Sequence, residues 1–504
     1  MTSNLPETNE AAARPRAVVI GSGFGGLAAA IRLGARGYGV TVLERLESPG
    51  GRARVHRQDG FVFDAGPTII TAPFLLEELW ALCGRLLEDD VTLRAVDPFY
   101  RFVFDDRVSF DYSGDKAAME QAIRRLSPKD IDGYRRFMGM SERIFRVGFE
   151  ELGDQPFSSW RDMARIVPQM MALKSYRSVH GLVASYVKNE KLRLMLSFHP
   201  LLVGGNPFAA SSIYALICFL ERKWGVHFAM GGTGALVAGM VGLIQGQGNT
   251  IRYGETVTRI LVENGAAVGV ETAHGERIAA EVVVSNADAT HTYTHLLGDV
   301  RRRRWTDARL ARAKQSMGLF VWYFGTNRQY PDVAHHTILL GPRYKGLIDD
   351  IFRRRILAED FSLYLHRPTA TDASLAPPGC DAFYVLSPVP HMGAGIDWRT
   401  EAPKYRDRIA ARLEDYLLPG LRDAVVTSRM TTPLDFETVL LSEQGAAFGL
   451  EPLLSQSAWF RPHNASEDVK NLFLVGAGTH PGAGVPGVLS SARVLDRVLP
   501  ESCS

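Results

Sequence analysis

Residues 17–44, AVVIGSGFGGLAAAIRLGARGYGVTVLE, decide the fold of this chain. The opening apolar run, AVVI, predicts a buried strand, and Gly21, Gly23 and Gly26 follow it with G-x-G-x-x-G spacing. Small residues then begin a predicted helix, a second apolar run predicts another strand, and Glu44 stands at its end. Strand, glycines, helix, strand and acid in this order predict a site for an adenine dinucleotide.

Each residue type in this motif has a chemical reason. Gly21 permits the tight turn out of the strand, Gly23 lets a pyrophosphate approach the backbone, and Gly26 lets the helix lie against the strand. The free N–H groups and the positive end of the helix face the phosphates. Glu44 lies 18 residues after Gly26, where a carboxylate accepts hydrogen bonds from the ribose hydroxyls. The alternative is an ordinary glycine-rich turn with a surface Glu.

The composition is that of a globular protein with a large core. The chain has 504 residues, 46% of them hydrophobic and 22% charged, and a formal net charge of +2. Two or three domains are expected, and nothing indicates nucleic acid or another polyanion as a partner. The four cysteines are far apart and form no C-x-x-C pair, so neither a disulfide framework nor a metal site is predicted, and a reducing cytosolic setting fits.

No segment predicts a membrane span or a leader. Residues 1–14 lack a basic region followed by an apolar one, so no signal peptide is expected. The next apolar candidate, residues 209–220, has 12 residues, whereas crossing a bilayer takes about 20. The chain is therefore expected to be soluble or to lie on a membrane surface.

Glycine turns occur at two further places. Gly50 and Gly51 precede Arg52, and a guanidinium binds phosphate oxygens through two hydrogen bonds. Beside the first motif we interpret Arg52 as a pyrophosphate ligand, and a surface turn with a solvated Arg is the alternative. Near the end, residues 472–475 predict a strand, and residues 476–488, GAGTHPGAGVPGV, lead into a helix. The two chain ends are therefore expected to build one cofactor domain.

These segments, in this order, resemble those of the bacterial phytoene desaturases, a carotenoid desaturase family that belongs with the flavin amine oxidases. The resemblance rests on GSGFGGLAAAIRL, SPGGRARV, GFVFDAGPTII, LLVGGNPF, GGTGALV, SNAD, SAWFRPHN and LVGAGTHPGAGVPGV. It covers nearly the whole chain after residue 15, and VGGNPF and GTHPGAG are its most specific stretches. It implies an α/β fold, with a Rossmann-like (glutathione-reductase-like) FAD-binding domain and an inserted substrate domain of mixed sheet and helices.

We divide the chain on this basis into alternating segments. Parts of the FAD-binding domain are expected at residues 15–105, 226–300 and 465–504. A helical region that faces the substrate and the membrane is expected at residues 106–225, and a substrate-binding domain at residues 301–464.

The resemblance implies tightly but non-covalently bound FAD. Pro67 and Thr68 match a segment near the isoalloxazine, and Val257 matches the strand that meets the adenine. The residues that the resemblance places at the cofactor are Gly21, Gly23, Gly26, Glu44, Arg45, Gly51, Arg52, Pro67, Thr68, Val257, Asn286, Gly478, Thr479 and His480. Covalent amine oxidases attach flavin through a cysteine upstream of the last glycine motif, and here no cysteine lies between Cys380 and Cys503.

The implied reaction removes hydrogen from a long polyene, converting 15-cis-phytoene by successive dehydrogenations to all-trans-lycopene. The flavin supplies the hydride chemistry, while the protein holds the polyene dry and aligned. The alternatives are a desaturase that stops at neurosporene, a relative acting on hydroxylated or C30 carotenoids, and a flavin amine oxidase. A flavin-binding membrane protein without catalytic activity is a further alternative, which nothing in the sequence favours.

Candidate catalytic groups lie on one predicted helix and in the final glycine loop. Residues 157–171, FSSWRDMARIVPQMM, are mostly apolar but include Arg161, Asp162 and Arg165. The two arginines share one helix face, and an Asp held between them in an apolar cavity is a candidate base. A solvated charged face is the alternative. His480 is the other candidate, with a structural role in its loop as the alternative.

A polyene substrate dissolves in a bilayer, so the resemblance implies a peripheral, monotopic enzyme on the cytoplasmic face of a membrane. Quinone or oxygen is expected to reoxidise the flavin. The arginine runs at residues 301–304 and 353–355 suit anionic headgroups, unless they are simply solvated. Helices between residues 157 and 223 are candidates for dipping into the interface, unless their apolar residues are plain core. The apolar residues concerned are Met170, Met171, Leu194, Met195 and Leu196.

Overall fold

The computed structural model describes residues 14–500. Cys503 lies outside the described residues. So does almost all of residues 1–14, the stretch in which no signal peptide is expected. Its strands are β1 (Arg16–Ile20), β2 (Gly39–Leu43), β3 (Val55–Gln58), β4 (Phe61–Asp64), β5 (Leu93–Ala95), β6 (Tyr100–Val103), β7 (Ser109–Tyr112), β8 (His227–Ala229), β9 (Thr250–Arg252), β10 (Val257–Glu263), β11 (Ala266–Thr272), β12 (Arg277–Ala279), β13 (Val282–Ser285), β14 (Gly318–Thr326), β15 (His336–Leu340), β16 (Ser362–His366), β17 (Asp381–Val389), β18 (Val425–Thr431) and β19 (Leu472–Leu474).

The α-helices lie between these strands and after the last one. They are α1 (Phe24–Ala35), α2 (Phe74–Ala81), α3 (Lys116–Leu126), α4 (Ile131–Phe145), α5 (Trp160–Ala172), α6 (Val179–Ala184), α7 (Glu190–Ser197), α8 (Leu216–Trp224), α9 (Thr233–Gly246), α10 (Ala289–His291), α11 (Asp307–Arg312), α12 (Tyr344–Asp349), α13 (Trp398–Tyr416), α14 (Leu421–Ala424), α15 (Pro433–Thr438) and α16 (Val485–Val498).

A parallel sheet of five strands, in the order β19-β13-β1-β2-β9, brings both ends of the chain together. In β1, Ala17 and Val19 pack with α1, α9 and α16, while Val18 and Ile20 pack with the antiparallel sheet β10-β11-β12. Both faces of the sheet are covered, which explains the nearly continuous apolar runs in its strands. The predicted Rossmann-like α/β fold is confirmed.

A larger mixed sheet carries the second half of the molecule, in the order β18-β14-β17-β16-β15-β6-β7. Its long strand β14 is buried on both faces. Phe320 and Trp322 pack with α13, whereas Val321 and Tyr323 face the opposite way, toward Phe61 and its neighbours. This second face of the sheet looks toward the five-stranded domain and forms one wall of the cavity described below.

The predicted domain boundary at residue 105 falls inside a hairpin. Strands β6 and β7 pair with each other on either side of it, and β6 also pairs with β15. Both strands therefore belong to the mixed sheet, although residues 100–105 were assigned to the dinucleotide domain. The segment boundary lies before Tyr100 if sheet membership defines it, and the rest of the division stays a prediction.

The helical region between residues 116 and 224 has its own aromatic and aliphatic core. Met195 and Leu196 are 0% and 1% exposed inside this core, and Leu194 is half-buried. The prediction that Met195 and Leu196 contact a membrane is therefore wrong, because the same helical periodicity serves internal packing. Among residues 14–500, no helix combines the length and the apolar character needed to cross a bilayer.

Candidate active site

A cavity lies between the two large sheets and extends into the helical region. At one end its wall consists of the glycine turns and the charged residues around them. At the other end it consists of apolar side chains from α5, α8, the loops around them and the mixed sheet. The two ends have different chemistry and are described in turn.

The first glycine turn has the geometry that its motif predicts. Gly21 follows β1 with a positive φ of 88° and donates its N–H to the carbonyl of Leu43 at 2.8 Å. A Cβ on Gly26 would lie 2.0 Å from the carbonyl oxygen of Gly21, so only glycine permits this approach of α1 to the turn. Helix α1 has no side-chain cap and no acid in its first turn, which leaves its N-terminal N–H groups open to an anion.

Glu44 is held beside this turn. It is 6% exposed, and its Oε2 accepts hydrogen bonds from the Ser22 N–H and hydroxyl at 2.7 and 2.6 Å. The Leu46 N–H donates to Oε1 at 2.9 Å. Each carboxylate oxygen has two lone pairs, so an oriented acceptor remains for ribose hydroxyls on the cavity wall, where Glu44 lies.

Asn286 is predicted to lie at the cofactor, and in the structure its side chain also lies between two glycine turns. Its side chain lies beneath the N-terminus of α1, where a Cβ on Gly25 would come within 2.5 Å of Oδ1. The same Cβ would meet Gly476 at 2.9 Å. Gly476 belongs to the final glycine motif noted in the sequence, but neither it nor Gly25 was among the residues predicted at the cofactor. Asn286 therefore joins the first glycine turn to the last one.

The second glycine turn packs directly on the first. Gly50 donates its N–H to the carbonyl of Ser22 at 2.9 Å, and both Gly50 and Gly51 have positive φ. Arg52 reaches the cavity wall and donates from Nη2 to the Ser442 hydroxyl at 2.7 Å. Its buried Nε has no hydrogen-bond partner in the part of the chain that the structure describes. Burial lowers the pKa of Arg52, and the nearby Asp288 opposes this shift.

The segment that contains Pro67 and Thr68 is fixed by tyrosines of the mixed sheet. The Thr68 hydroxyl lies 2.7 Å from the hydroxyl of Tyr384 and 3.3 Å from that of Tyr364. Tyr323 donates to the carbonyl of Ala65 at 2.9 Å. Through these bonds the mixed sheet positions the backbone that bridges the polar and apolar ends of the cavity.

The remaining predicted cofactor residues divide into two groups. Arg45, Val257, Gly478 and His480 lie on the cavity wall. The hydroxyl of Thr479 instead donates to the carbonyl of Pro462 at 2.6 Å, so its side chain holds the final glycine loop in place and does not line the cavity.

His480 stands out in that loop. Both ring nitrogens are buried without a geometrically defined hydrogen bond to any of residues 14–500, and the ring packs edge-on against Phe157 with the centroids 4.9 Å apart. Burial and the neighbouring Arg461 lower the pKa of His480 to about 3, so its imidazole is neutral at pH 7. Among the predicted catalytic candidates, His480 is the one that reaches the cavity wall.

The polar end fits an adenine dinucleotide in three independent respects. An uncapped helix N-terminus and the Arg52 side chain lie at this end, and both suit a pyrophosphate. The oriented carboxylate of Glu44 suits a ribose. Glycines line the turns where a Cβ would fill the space.

The apolar end is built from side chains that are far apart in sequence. Helix α5 contributes Met163, Ile166 and Met170 to the wall. The other apolar lining residues include Phe149, Leu152, Phe157, Phe198, Leu201, Leu202, Leu216, Ile217, Leu220, Leu319, Val321, Ile338, Leu363, Leu386 and Phe436. Such a predominantly apolar wall suits a long hydrocarbon.

One carboxylate, Glu221 on α8, lies at this apolar end. It is 1% exposed, and it accepts a hydrogen bond from the Tyr100 hydroxyl at 2.6 Å and lies 3.1 Å from Nε2 of His199. Burial by itself would lower the pKa of His199, but Cys218 and Glu221 outweigh it and raise this pKa to about 10. Glu221 and His199 form a buried ion pair that sequence reasoning missed, because its members lie on separate elements.

The predicted catalytic trio is not assembled. Asp162 is the third residue of α5, and its Oδ2 accepts hydrogen bonds from the N–H and the hydroxyl of Ser159 at 3.0 and 2.8 Å, which forms a capping box. Arg161 and Arg165 are exposed, and neither forms a salt bridge within residues 14–500. The prediction of an Asp held between two Arg in the cavity is wrong, because apolar residues of α5 line the cavity and its two arginines are exposed on the outside.

The arginine runs proposed for lipid contact are mostly paired. Arg302 lies 2.7 Å from Asp307, and Arg354 lies 3.1 Å from Asp350. Arg304 lies 3.5 Å from Glu467, and Arg353 lies 3.7 Å from Asp349. Local carboxylates therefore account for much of this charge.

Comparison with known proteins agrees with this geometry. The model of the family described as flavin containing amine oxidoreductase matches residues 24–494. The chain is 51% identical over 476 residues to a lycopene-forming phytoene desaturase of Pantoea ananas, covering 94% of this chain and 97% of that protein. It is 49% identical over 503 residues to a neurosporene-forming phytoene desaturase of Cereibacter sphaeroides, covering 99% and 97%.

Solved structures with the same fold are more distant in sequence. An oxidoreductase of Methanosarcina mazei aligns with a TM-score of 0.63 at 18% identity, covering 96% of this chain and 100% of that one. A putrescine oxidase also aligns with a TM-score of 0.63, at 13% identity, covering 96% and 98%. The fold is shared with these proteins, while the sequence identity lies with the desaturases. The chain therefore belongs to the flavin containing amine oxidoreductase family and, within it, to the phytoene desaturases.

Proposed function

We propose that this enzyme uses FAD to convert 15-cis-phytoene to all-trans-lycopene by successive dehydrogenations. One observation carries the proposal: a cavity joins a dinucleotide-binding end to an apolar end that suits a long hydrocarbon. The relatives of about half-identical sequence are named for phytoene desaturation, which supports the same substrate here.

The FAD would be held by the residues of the polar end. Glu44 would accept hydrogen bonds from the ribose hydroxyls, and Arg52 with the α1 N-terminus would bind the pyrophosphate. The segment at Thr68 and the loop at His480 would flank the flavin ring. When bound, the flavin supplies hydride acceptance.

The protein's own contribution at the apolar end is alignment and the exclusion of water. Phytoene carries no polar group, so its position depends on shape and on contact with a dry wall. The charge of Glu221 at this end is paired with His199, and the carboxylate also accepts a hydrogen bond from Tyr100, so it is not left as an isolated charge beside the polyene.

A neurosporene-forming enzyme is the second candidate for the product. The relative of Cereibacter sphaeroides with that name is 49% identical over nearly the whole chain, almost as similar as the lycopene-forming relative at 51%. Identity at this level supports both products, and direct product analysis separates them.

We further propose that α5 rests on the cytoplasmic face of a membrane and admits the substrate. Trp160, Val167 and Met171 on α5 are 65%, 49% and 56% exposed, while other residues of the same helix line the cavity. Arg161 and Arg165 are exposed beside them, in the pattern of a helix that lies in an anionic lipid interface. Quinone or oxygen would then reoxidise the flavin.

The test is to incubate the purified enzyme with FAD, a quinone and phytoene-loaded liposomes, and to separate the extracted pigments. Lycopene as the final pigment supports the main proposal, and neurosporene as the final pigment supports the second candidate. A protein that produces no pigment, yet forms peroxide when given amines in air, would instead be an amine oxidase.

A further inference from the structure

Three buried histidines meet at the ends of two neighbouring strands. His335 precedes β15, His336 begins it, and His366 ends β16. The antiparallel register pairs His336 directly with His366. The three side chains are 5%, 0% and 0% exposed, and one ligand nitrogen from each lies within 4.8 Å of the other two.

The spacing of these nitrogens is close to that of a metal centre. Nε2 of His335 and Nε2 of His366 are 3.1 Å apart. Zinc–nitrogen bonds of 2.0–2.1 Å in a tetrahedral site place neighbouring ligand nitrogens roughly 3.3 Å apart. The closest pair already has about this spacing, and a nitrogen of the third ring lies within 4.8 Å of both.

Hydrogen bonds already orient two of the rings. The Thr371 hydroxyl lies 2.7 Å from Nδ1 of His335, and the Tyr364 hydroxyl lies 2.7 Å from Nδ1 of His336. In both rings the nitrogen left for a metal is Nε2: that of His335 now shares a hydrogen bond with Nε2 of His366, and that of His336 has no hydrogen-bond partner among residues 14–500. Metal-binding histidines usually have such a partner on the other nitrogen, because it fixes the tautomer and the ring orientation.

The protonation state also suits a metal. Burial lowers the pKa of His335 to about 3, and it lowers the pKa values of His336 and His366 well below the usual range. Neutral imidazole is the form that binds metal. The positive Arg367 lies close to His335 and opposes a second cation, but Asp381 partly neutralises it at 3.8 Å.

We propose that His335, His336 and His366 bind one divalent transition metal ion, such as zinc. Imidazole ligands suit zinc, copper, nickel and iron. Three protein ligands leave a fourth position for water. Nothing in this proposal depends on the identity of the carotenoid product.

The site would stiffen the mixed sheet beneath the cavity. The Tyr364 hydroxyl, which bonds His336, also lies 3.3 Å from the Thr68 hydroxyl. A metal held by His336 would therefore fix the tyrosine that orients the segment flanking the proposed flavin position. His366 lies 31 positions after His335, and strand pairing brings them together, which is why no local sequence motif indicated the site.

The experiment measures metal binding to the flavin-loaded enzyme. After treatment with a chelator, the protein is titrated with Zn²⁺ and with Co²⁺, and metal per chain is measured by elemental analysis and by the visible bands of bound Co²⁺. We expect one ion per chain in the unaltered enzyme. His336→Gln and His366→Gln should each lower the affinity at least about 100-fold, because each removes a ligand.

Two further variants make the outcome unambiguous. Thr371→Val keeps all three ligands and should weaken binding by about 10- to 100-fold through the loss of the orienting bond. His180→Gln changes a half-buried histidine outside the cluster and should bind metal normally. Binding that is absent in the unaltered enzyme, or as strong in His336→Gln as in the unaltered enzyme, would overturn the proposal; flavin content verifies that each variant is folded.

Discussion

The two ends of the cavity are built in opposite ways. The polar end consists mainly of backbone turns and a few charged side chains, and most of its members occur in three short glycine motifs. The apolar end consists of side chains from helices, loops and the mixed sheet, contributed by segments from Phe149 to Phe436. A dinucleotide site can be recognised in a sequence because backbone geometry demands particular residues at fixed spacing. A hydrocarbon site makes no such demand.

The largest effect is expected from a charge reversal at the polar end. Glu44→Arg removes the acceptor for the ribose and for Ser22, and it places a cation in a buried position. Charge-assisted hydrogen bonds contribute about 1.5–3 kcal/mol each, so FAD affinity should fall more than about 100-fold. The purified variant should be colourless, as measured by flavin per chain. Glu47→Arg, at an exposed position, is the control and should stay yellow; a yellow Glu44→Arg protein would refute the assignment.

A charge introduced at the apolar end should lower desaturation and leave flavin binding unchanged. Ile217 lies on the cavity wall on α8, and Ile217→Glu would bring an unpaired carboxylate into the substrate path, which is costly. Desaturation should fall at least about 100-fold while flavin per chain stays unchanged. Ile217→Met, which nearly conserves volume, should keep most of the activity. Equal loss of flavin and activity in Ile217→Glu would show that the two ends are not separable.

The membrane-facing role of α5 predicts an intermediate effect. Each Arg near an anionic surface contributes about 1 kcal/mol, so the double change Arg161→Gln and Arg165→Gln should weaken binding to anionic vesicles roughly 30-fold. Turnover of detergent-solubilised phytoene should be unchanged. The control is the double change Arg353→Gln and Arg354→Gln, whose members are paired with Asp349 and Asp350, and it should bind vesicles normally. Loss of turnover in detergent would restore a catalytic role for the α5 arginines.

The smallest effect concerns Asp162. As part of a capping box with Ser159, it should contribute about 1 kcal/mol to stability. Asp162→Ala and Ser159→Ala should therefore lower the melting temperature by similar, small amounts and leave turnover intact. A large loss of turnover in Asp162→Ala alone would identify it as the base that the sequence suggested.

The sequence was sufficient for the polar end and for the fold that creates it. Strand β1, the turn at Gly21–Gly26, Glu44 and the contribution of α16 all lie where the motifs placed them. Each depends on a local requirement, such as a positive φ or the absence of a Cβ. Only the partners that join separate motifs, such as Gly25 with Gly476 on Asn286, needed the structure.

The sequence was misleading where one pattern serves two purposes. An Asp near the start of α5 suits a capping box as well as a catalytic ion cluster, and only the helix boundary at Trp160 decides between them. The apolar residues of α7 suit a lipid surface as well as a core, and Met195 and Leu196 proved to be core. The ion pair of His199 with Glu221 could not be predicted, because it depends on how separate elements pack.

The central claim is that phytoene at the apolar end transfers hydride to a flavin at the polar end. The most direct test mixes the FAD-loaded enzyme with phytoene liposomes in the absence of air and of any other acceptor, and follows the visible spectrum. We predict that the oxidised flavin bands bleach while absorption bands of a longer conjugated polyene appear, in about equal amounts. A flavin that stays oxidised, with no new polyene bands even after quinone or air is added, would contradict the account.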